Sequence, residues 1–316
     1  MTIAFVFPGQ GSQSVGMLDR LADRPEVADV LARADAALGE SLSGLIAGGP
    51  ADALGLTVNT QPAMLVAGYA CLSAWRAAGG PAPIAVAGHS LGEYTALAAA
   101  GALSLEQAVR LVRVRAQAMQ EAVPVGTGGM AVIMGLDDDA VRAACAAASQ
   151  HGDVVEAVNF NAPAQVVIAG HAGALARACE KAKQAGAKRA LPLAVSAPFH
   201  SSLLAPAGER LRVALASVDL RAPAVSLVNN VDVAVETEPA RIVDALVRQA
   251  SSPVRWVEVV HKLRALGAET LIEFGPGKVL AGLAPRIDKS LRVFSVADPD
   301  SLQTALAAVA APGASA

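Results

Sequence analysis

The chain has 316 residues, of which 53% are hydrophobic, 17% charged and 3% aromatic, so a large core can be built mostly from Ala, Val and Leu. A formal net charge of −3 with no run of like charge leaves no basic footprint, which excludes a nucleic-acid binder. Cys71, Cys145 and Cys179 are far apart in alanine-rich stretches, as suits small core hydrophobes in a reducing compartment and neither a disulfide framework nor a metal site.

Five apolar residues, Ile3 to Phe7, run straight into Pro8-Gly9 with no basic segment before them, which reads as a first strand and not a signal peptide. A helix is expected near 26–38 and another over 62–78, opened by Pro62. A short apolar strand, 84–87, leads through a glycine turn into a helix over 91–101. The alanine run at 95–103 is too short to cross a bilayer, so a cytoplasmic protein with no membrane partner is expected. Ser104 with Gln107 three residues on is a capping-box pattern and opens a helix over 104–122.

The pattern changes over 126–194. Strand 129–135, helix 137–149, strands 154–159 and 165–170 joined at Asn161-Ala162-Pro163, helix 172–185 ended by Gly186, and strand 188–193 follow in turn. That β-α-β-β-α-β order is the split unit of a ferredoxin-like subdomain. It divides the chain into a large domain, 1–125 with 197–316, and an inserted subdomain, 126–196. The large domain resumes with helices near 202–217, 239–250 and 254–266 and strands 224–228, 270–274 and 292–295, and the tail 307–316 is expected to fray. Strands alternating with helices predict an α/β fold with a mostly parallel sheet, whose ligands sit at the C-terminal strand ends.

Gly88-His89-Ser90-Leu91-Gly92 is a G-x-S-x-G pattern in strand–turn–helix context, where a serine is pushed out beside the free N–H groups of the next helix. Such a serine can attack a carbonyl while those N–H groups hold the oxyanion. It needs a base. His89 should point away on a tight turn, His151 sits at a helix end, His171 at a helix start and His261 inside a helix. His200, where the chain re-enters the large domain, is the candidate. No persuasive carboxylate lies between Ser90 and His200, so a dyad is expected. On a wheel of about 100° per residue, Arg115 falls on the stripe of Leu105, Ala108, Leu111, Val112, Met119 and Ala122, with Glu106, Arg110, Arg113, Gln117 and Glu121 opposite. A buried guanidinium needs an anion, either an internal carboxylate or a ligand's. Gly9-Gln10-Gly11 lacks the third glycine of a dinucleotide fingerprint, and Gly275-Pro276-Gly277-Lys278 lacks the spacing of a phosphate loop and reads as a turn into a helix. No Cys/His/carboxylate cluster has metal spacing.

With Pro8–Gln13, Gly88–Tyr94, Arg115, Asn159-Phe160-Asn161, His200, Gln249 and Phe274–Gly277 in view, the chain resembles the malonyl-CoA:acyl carrier protein transacylases of dissociated bacterial fatty acid synthesis, from residue 2 to about 300. The resemblance implies an α/β-hydrolase-like large domain with a ferredoxin-like insertion. It implies Ser90 as the acylated nucleophile, His200 as its base, and Gln10 with the Leu91 N–H as the oxyanion hole. By the same resemblance Arg115 binds the malonyl carboxylate, the Gln249 backbone carbonyl orients the histidine, and Asn161 lies near the substrate. Phe199 departs from the small serine of many bacterial members; in related polyketide acyltransferases a phenylalanine there accompanies malonyl over methylmalonyl. The expected acceptor is the phosphopantetheine of an acyl carrier protein, with no cofactor of the enzyme's own and a monomer as the working unit. Three rivals are a serine thioesterase, an acyltransferase of a polyketide or malonate decarboxylase system, and a non-catalytic carrier-binding homologue.

Overall fold

The computed structural model describes residues 2–195 and 197–310. The first part of the chain forms β1 (Ile3–Phe7), α1 (Pro25–Leu38), α2 (Leu42–Gly48), α3 (Ala51–Gly55), α4 (Thr57–Ala77), β2 (Ala85–Gly88), α5 (Gly92–Ala99) and α6 (Leu105–Glu121). Next come β3 (Gly128–Met134), α7 (Asp138–Ala148), β4 (Val155–Ala162), β5 (Gln165–His171), α8 (Ala172–Gln184) and β6 (Arg189–Pro192). A 3-10 turn at Ser202–Leu204 leads into α9 (Ala205–Leu215), then β7 (Ser226–Val228), α10 (Pro239–Gln249), α11 (Trp256–Ala265), β8 (Thr270–Phe274), α12 (Val279–Ile287), β9 (Arg292–Val296) and α13 (Pro299–Ala310).

Two sheets organise these elements. A five-stranded sheet has the order β7-β2-β1-β8-β9, and all its pairs are parallel. Its central strands β1 and β8 are buried along their whole length, as continuous apolar runs in a sheet covered on both faces should be. Phe5, Phe7, Phe274 and Trp75 meet on one face, with Phe5 and Phe274 edge-on at 4.7 Å. The second sheet has four strands in the order β4-β5-β3-β6, all antiparallel, and α7 and α8 cover it through a separate apolar cluster that includes Ile133, Val141, Ile168 and Ala178. The two sheets are stitched where β4 meets the loop before α11: Phe160 N–H donates to the Val254 carbonyl at 3.0 Å and Val254 N–H to that of Val158 at 2.8 Å.

Three expectations need correction. The helix expected to open at Pro62 begins at Thr57 and carries Pro62 inside it. Its first turn is held by the short helix just before it, with Asn59 Nδ2 on the Ala53 carbonyl and Thr60 Oγ1 on that of Leu54, and the helix starts ahead of the proline. Strand β4 runs through Ala162, which moves Asn161 from the turn into the strand and leaves Pro163-Ala164 as the turn. Residues 307–310 belong to α13, pinned by buried Leu302 and Ala305, and do not fray; 311–316 and Ser196 lie outside the described residues. The short helices α2 and α3 were not anticipated, because 7 and 5 residues are too few to show a period. The capping box at Ser104 is present in both directions. The three cysteines are buried and free, and among the described residues no helix is long and apolar enough to cross a membrane.

Candidate active site

Ser90 stands between β2 and α5 with φ of 54°, a left-handed conformation that costs a non-glycine residue energy and is held here by its surroundings. A Cβ on Gly88 would meet the backbone of Gly92 at 1.9 Å, and one on Gly92 would meet the Phe7 carbonyl oxygen at 2.1 Å. Both glycines are therefore required by close backbone approach, and the turn they permit aims the Ser90 hydroxyl into a cleft of about 680 Å³ between the two sheets.

His200 reaches the same point from the loop before the 3-10 turn, also at positive φ, 67°. Its Nε2 lies 2.7 Å from Ser90 Oγ, and its Nδ1 lies 2.9 Å from the main-chain carbonyl of Gln249. A carbonyl accepts only, so Nδ1 carries the proton and Nε2 is left with a lone pair facing the hydroxyl. Burial, reinforced by the Arg115 charge, pushes the imidazole down to about 3, so it is neutral at pH 7 and able to take a proton.

Arg115 lies on the buried face of α6, 1% exposed. Among the described residues no carboxylate contacts it directly. Its Nη1 donates to Gln61 Oε1 at 2.7 Å, and its Nη2 to Gln249 Oε1 at 3.0 Å and Ser90 Oγ at 3.1 Å. Tyr94 presents its ring 5.4 Å from the guanidinium carbon. A full positive charge held by neutral oxygens beside a serine hydroxyl can receive an anion.

The cleft is also lined by Gln10, Leu91, Asn161 and Phe199. Gln10 lies on the loop after β1, and Leu91 is the residue just before α5. Asn161 does not face Ser90 directly: its Oδ1 sits 2.8 Å from Nε2 of His89, which the turn sends toward β4. Phe199 packs against the core next to His200. Gln249 is fully buried behind the cleft.

Three residues of this network were not singled out from the sequence. Asn230 follows β7; its Oδ1 accepts from the Ser90 N–H at 2.7 Å and its Nδ2 donates to the Gly88 carbonyl at 2.7 Å, tying the turn down. Its signal is a pair of asparagines at a C-terminal strand end. Glu93 is buried in α5, and burial pushes its carboxyl up to about 7; a lone acid in an alanine-rich helix was the available hint. Gln61 carries no local signal. Among the described residues no group of three or more His, Cys, Asp or Glu is placed to hold a metal.

The family described as acyl transferase domain matches residues 4–292. A malonyl CoA-acyl carrier protein transacylase of Salmonella typhimurium is 53% identical over 304 residues, covering 96% of this chain and 98% of the relative. A crystal structure of an acyl-carrier-protein S-malonyltransferase from Burkholderia pseudomallei is 64% identical with a TM-score of 0.95, covering 97% of this chain and 100% of that one. A malonyl-transacylase solved in complex with a type II PKS acyl-carrier protein is 49% identical with a TM-score of 0.95, over 98% of this chain and 100% of that one.

Proposed function

The chain belongs to the acyl transferase family, among the malonyl CoA-acyl carrier protein transacylases, and we propose that it works by ping-pong transfer through a malonyl ester on Ser90. Ser90 Oγ attacks the thioester carbonyl of malonyl-CoA as His200 Nε2 takes its proton. The carbonyl oxygen, now negative, is held by the Leu91 N–H and the Gln10 side chain. The C–S bond breaks, the CoA sulfur takes the proton back from His200, and the malonyl ester remains. The phosphopantetheine thiol of an acyl carrier protein then attacks that ester with His200 again as base, and Ser90 Oγ leaves with the proton. Arg115 binds the malonyl carboxylate throughout, and Phe199 limits bulk at the α-carbon.

One observation carries this reading. The Arg115 guanidinium stands 3.1 Å from the nucleophile with neutral oxygens for partners, so an acyl group with a terminal carboxylate is favoured over a plain one. The product supplies malonyl units for fatty acid elongation. No cofactor of the enzyme's own is called for, because the thiol arm belongs to the carrier.

On the same footing we read the large unit, 1–125 with 197–316, as α/β-hydrolase-like and 126–196 as a ferredoxin-like insertion. The strand order β4-β5-β3-β6 with helices on one side supports the second name. One chain provides every group used above, which supports a monomer as the working unit, and three buried thiols support a reducing, cytoplasmic setting.

The test is the intact mass of the protein after brief exposure to malonyl-CoA, repeated after adding holo-acyl carrier protein. One malonyl adduct on the wild type, none on Ser90→Ala, and discharge onto the carrier are expected. An adduct that is lost to water and never reaches the carrier would mean a thioesterase, and an adduct persisting on Ser90→Ala would move the nucleophile elsewhere.

A further inference from the structure

Glu93 is the second residue of α5 and is 1% exposed. A carboxyl there is costly unless each buried lone pair is used. Its Oε2 accepts two hydrogen bonds, from Gln249 Nε2 at 2.8 Å and from the Asn230 main-chain N–H at 3.0 Å. Both partners lead on to the reacting groups. Through Asn230 the oxygen steadies the turn, since Asn230 Oδ1 holds the Ser90 N–H. Through Gln249 it reaches the substrate arginine, since Gln249 Oε1 accepts from Arg115 Nη2.

The Gln249 amide has a donor end and an acceptor end, and a half-turn exchanges them. Two acceptors hold the donor end in place, Glu93 Oε2 and the Ser90 carbonyl at 3.0 Å. Only then does the acceptor end face Arg115. A guanidinium donates and never accepts, so a loosened or turned amide would oppose donors to donors and let Arg115 drift from Ser90. The main-chain carbonyl of Gln249, which holds His200, is independent of that turn.

Resting on the transacylase reading, we propose that Glu93 is a positioning residue for acyl-group selection, fastening the Gln249 amide so that its oxygen holds Arg115 beside Ser90. What matters is an acceptor oxygen at this reach. Glu93→Gln keeps such an oxygen without the charge, while Glu93→Asp keeps the charge and withdraws the oxygen by one methylene.

The experiment measures kcat and KM for malonyl-CoA and acetyl-CoA, with holo-acyl carrier protein as acceptor, in the full-length wild type, Glu93→Gln, Glu93→Asp and Glu93→Ala. Glu93→Asp and Glu93→Ala should lower the malonyl-to-acetyl ratio of kcat/KM about tenfold, the worth of one hydrogen bond to a charged group, mainly through KM for malonyl-CoA. Glu93→Gln should keep the ratio within about threefold of wild type on the same scale. Gln249→Ala should reproduce the loss, and combining it with Glu93→Ala should add little, because both act through one amide. Equal losses for both donors in Glu93→Asp would make the residue merely structural and overturn the proposal, as would a ratio lost in Glu93→Gln. Glu93→Asp and Glu93→Gln decide the matter even where the alanine variant does not fold. A wild type with no malonyl preference would overturn the transacylase reading itself; a wild type with preference whose Asp variant keeps it would overturn only the role of Glu93.

Discussion

Ser90 and His200 meet at 2.7 Å from opposite ends of a 110-residue separation, each held at a backbone angle that side chains rarely adopt. Strain of this kind survives only where the neighbours over-determine it, and here Asn230 and the Gln249 carbonyl do so. The imidazole is buried beside Arg115, so its charged form is disfavoured and its protonation falls far below the ordinary histidine range, to about 3. Acidification from pH 7.5 to 5 therefore leaves His200 neutral and, on the proposed mechanism, still able to act as the base. Glu93, pushed up to about 7, is the nearby group that does titrate there. In Glu93→Gln, kcat/KM for malonyl-CoA should therefore stay level from pH 7.5 to 5. A fall centred near 6.5 would show an imidazole as solvated as a free one.

At the scale of elements, the strand–turn–helix from β2 to α5 was legible because backbone proximity leaves a mark in residue type. Only glycine fits at 88 and 92, and the G-x-S-x-G spacing states as much. Gly92→Ala would drive a methyl into the Phe7 carbonyl, and β1 with α5 would have to part. A loss of about 1–3 kcal/mol in urea unfolding is expected, along with a slower malonyl adduct, as over-packing against backbone costs this much. Gly282, exposed in α12 with open space around its would-be Cβ, is the control, and alanine there should be neutral or stabilising. The start of α4 was illegible for the opposite reason. Its first turn is fastened by carbonyls of α3, and such contacts leave no local signature.

At the scale of the molecule, the cleft exists because two sheets meet along β4, with Val158 and Val167 of the second packed into the apolar cluster of the first. The main-chain bonds to Val254 and the pair His89–Asn161 join them. Asn161→Ala should lower stability by about 1 kcal/mol, the usual net worth of one hydrogen bond, and a double-mutant cycle with His89→Ala should show that the two losses do not add. Independent losses would mean that the pair does not couple the sheets.

By itself the sequence determined what is local or periodic. The alternation of strands and helices, the glycines of the turn, the capping box at Ser104 and the place of Arg115 on an apolar helix face all follow from neighbours within a few residues. Family likeness extended this to Gln10, Gln249 and Phe199. Only the tertiary structure decided which oxygens surround the guanidinium and that Glu93, Asn230 and Gln61 complete the network. Contacts within that network join residues as much as 159 positions apart. A hydrogen bond between distant groups depends on how the sheets and helices pack, and packing is a property of the whole chain that no short window of it contains.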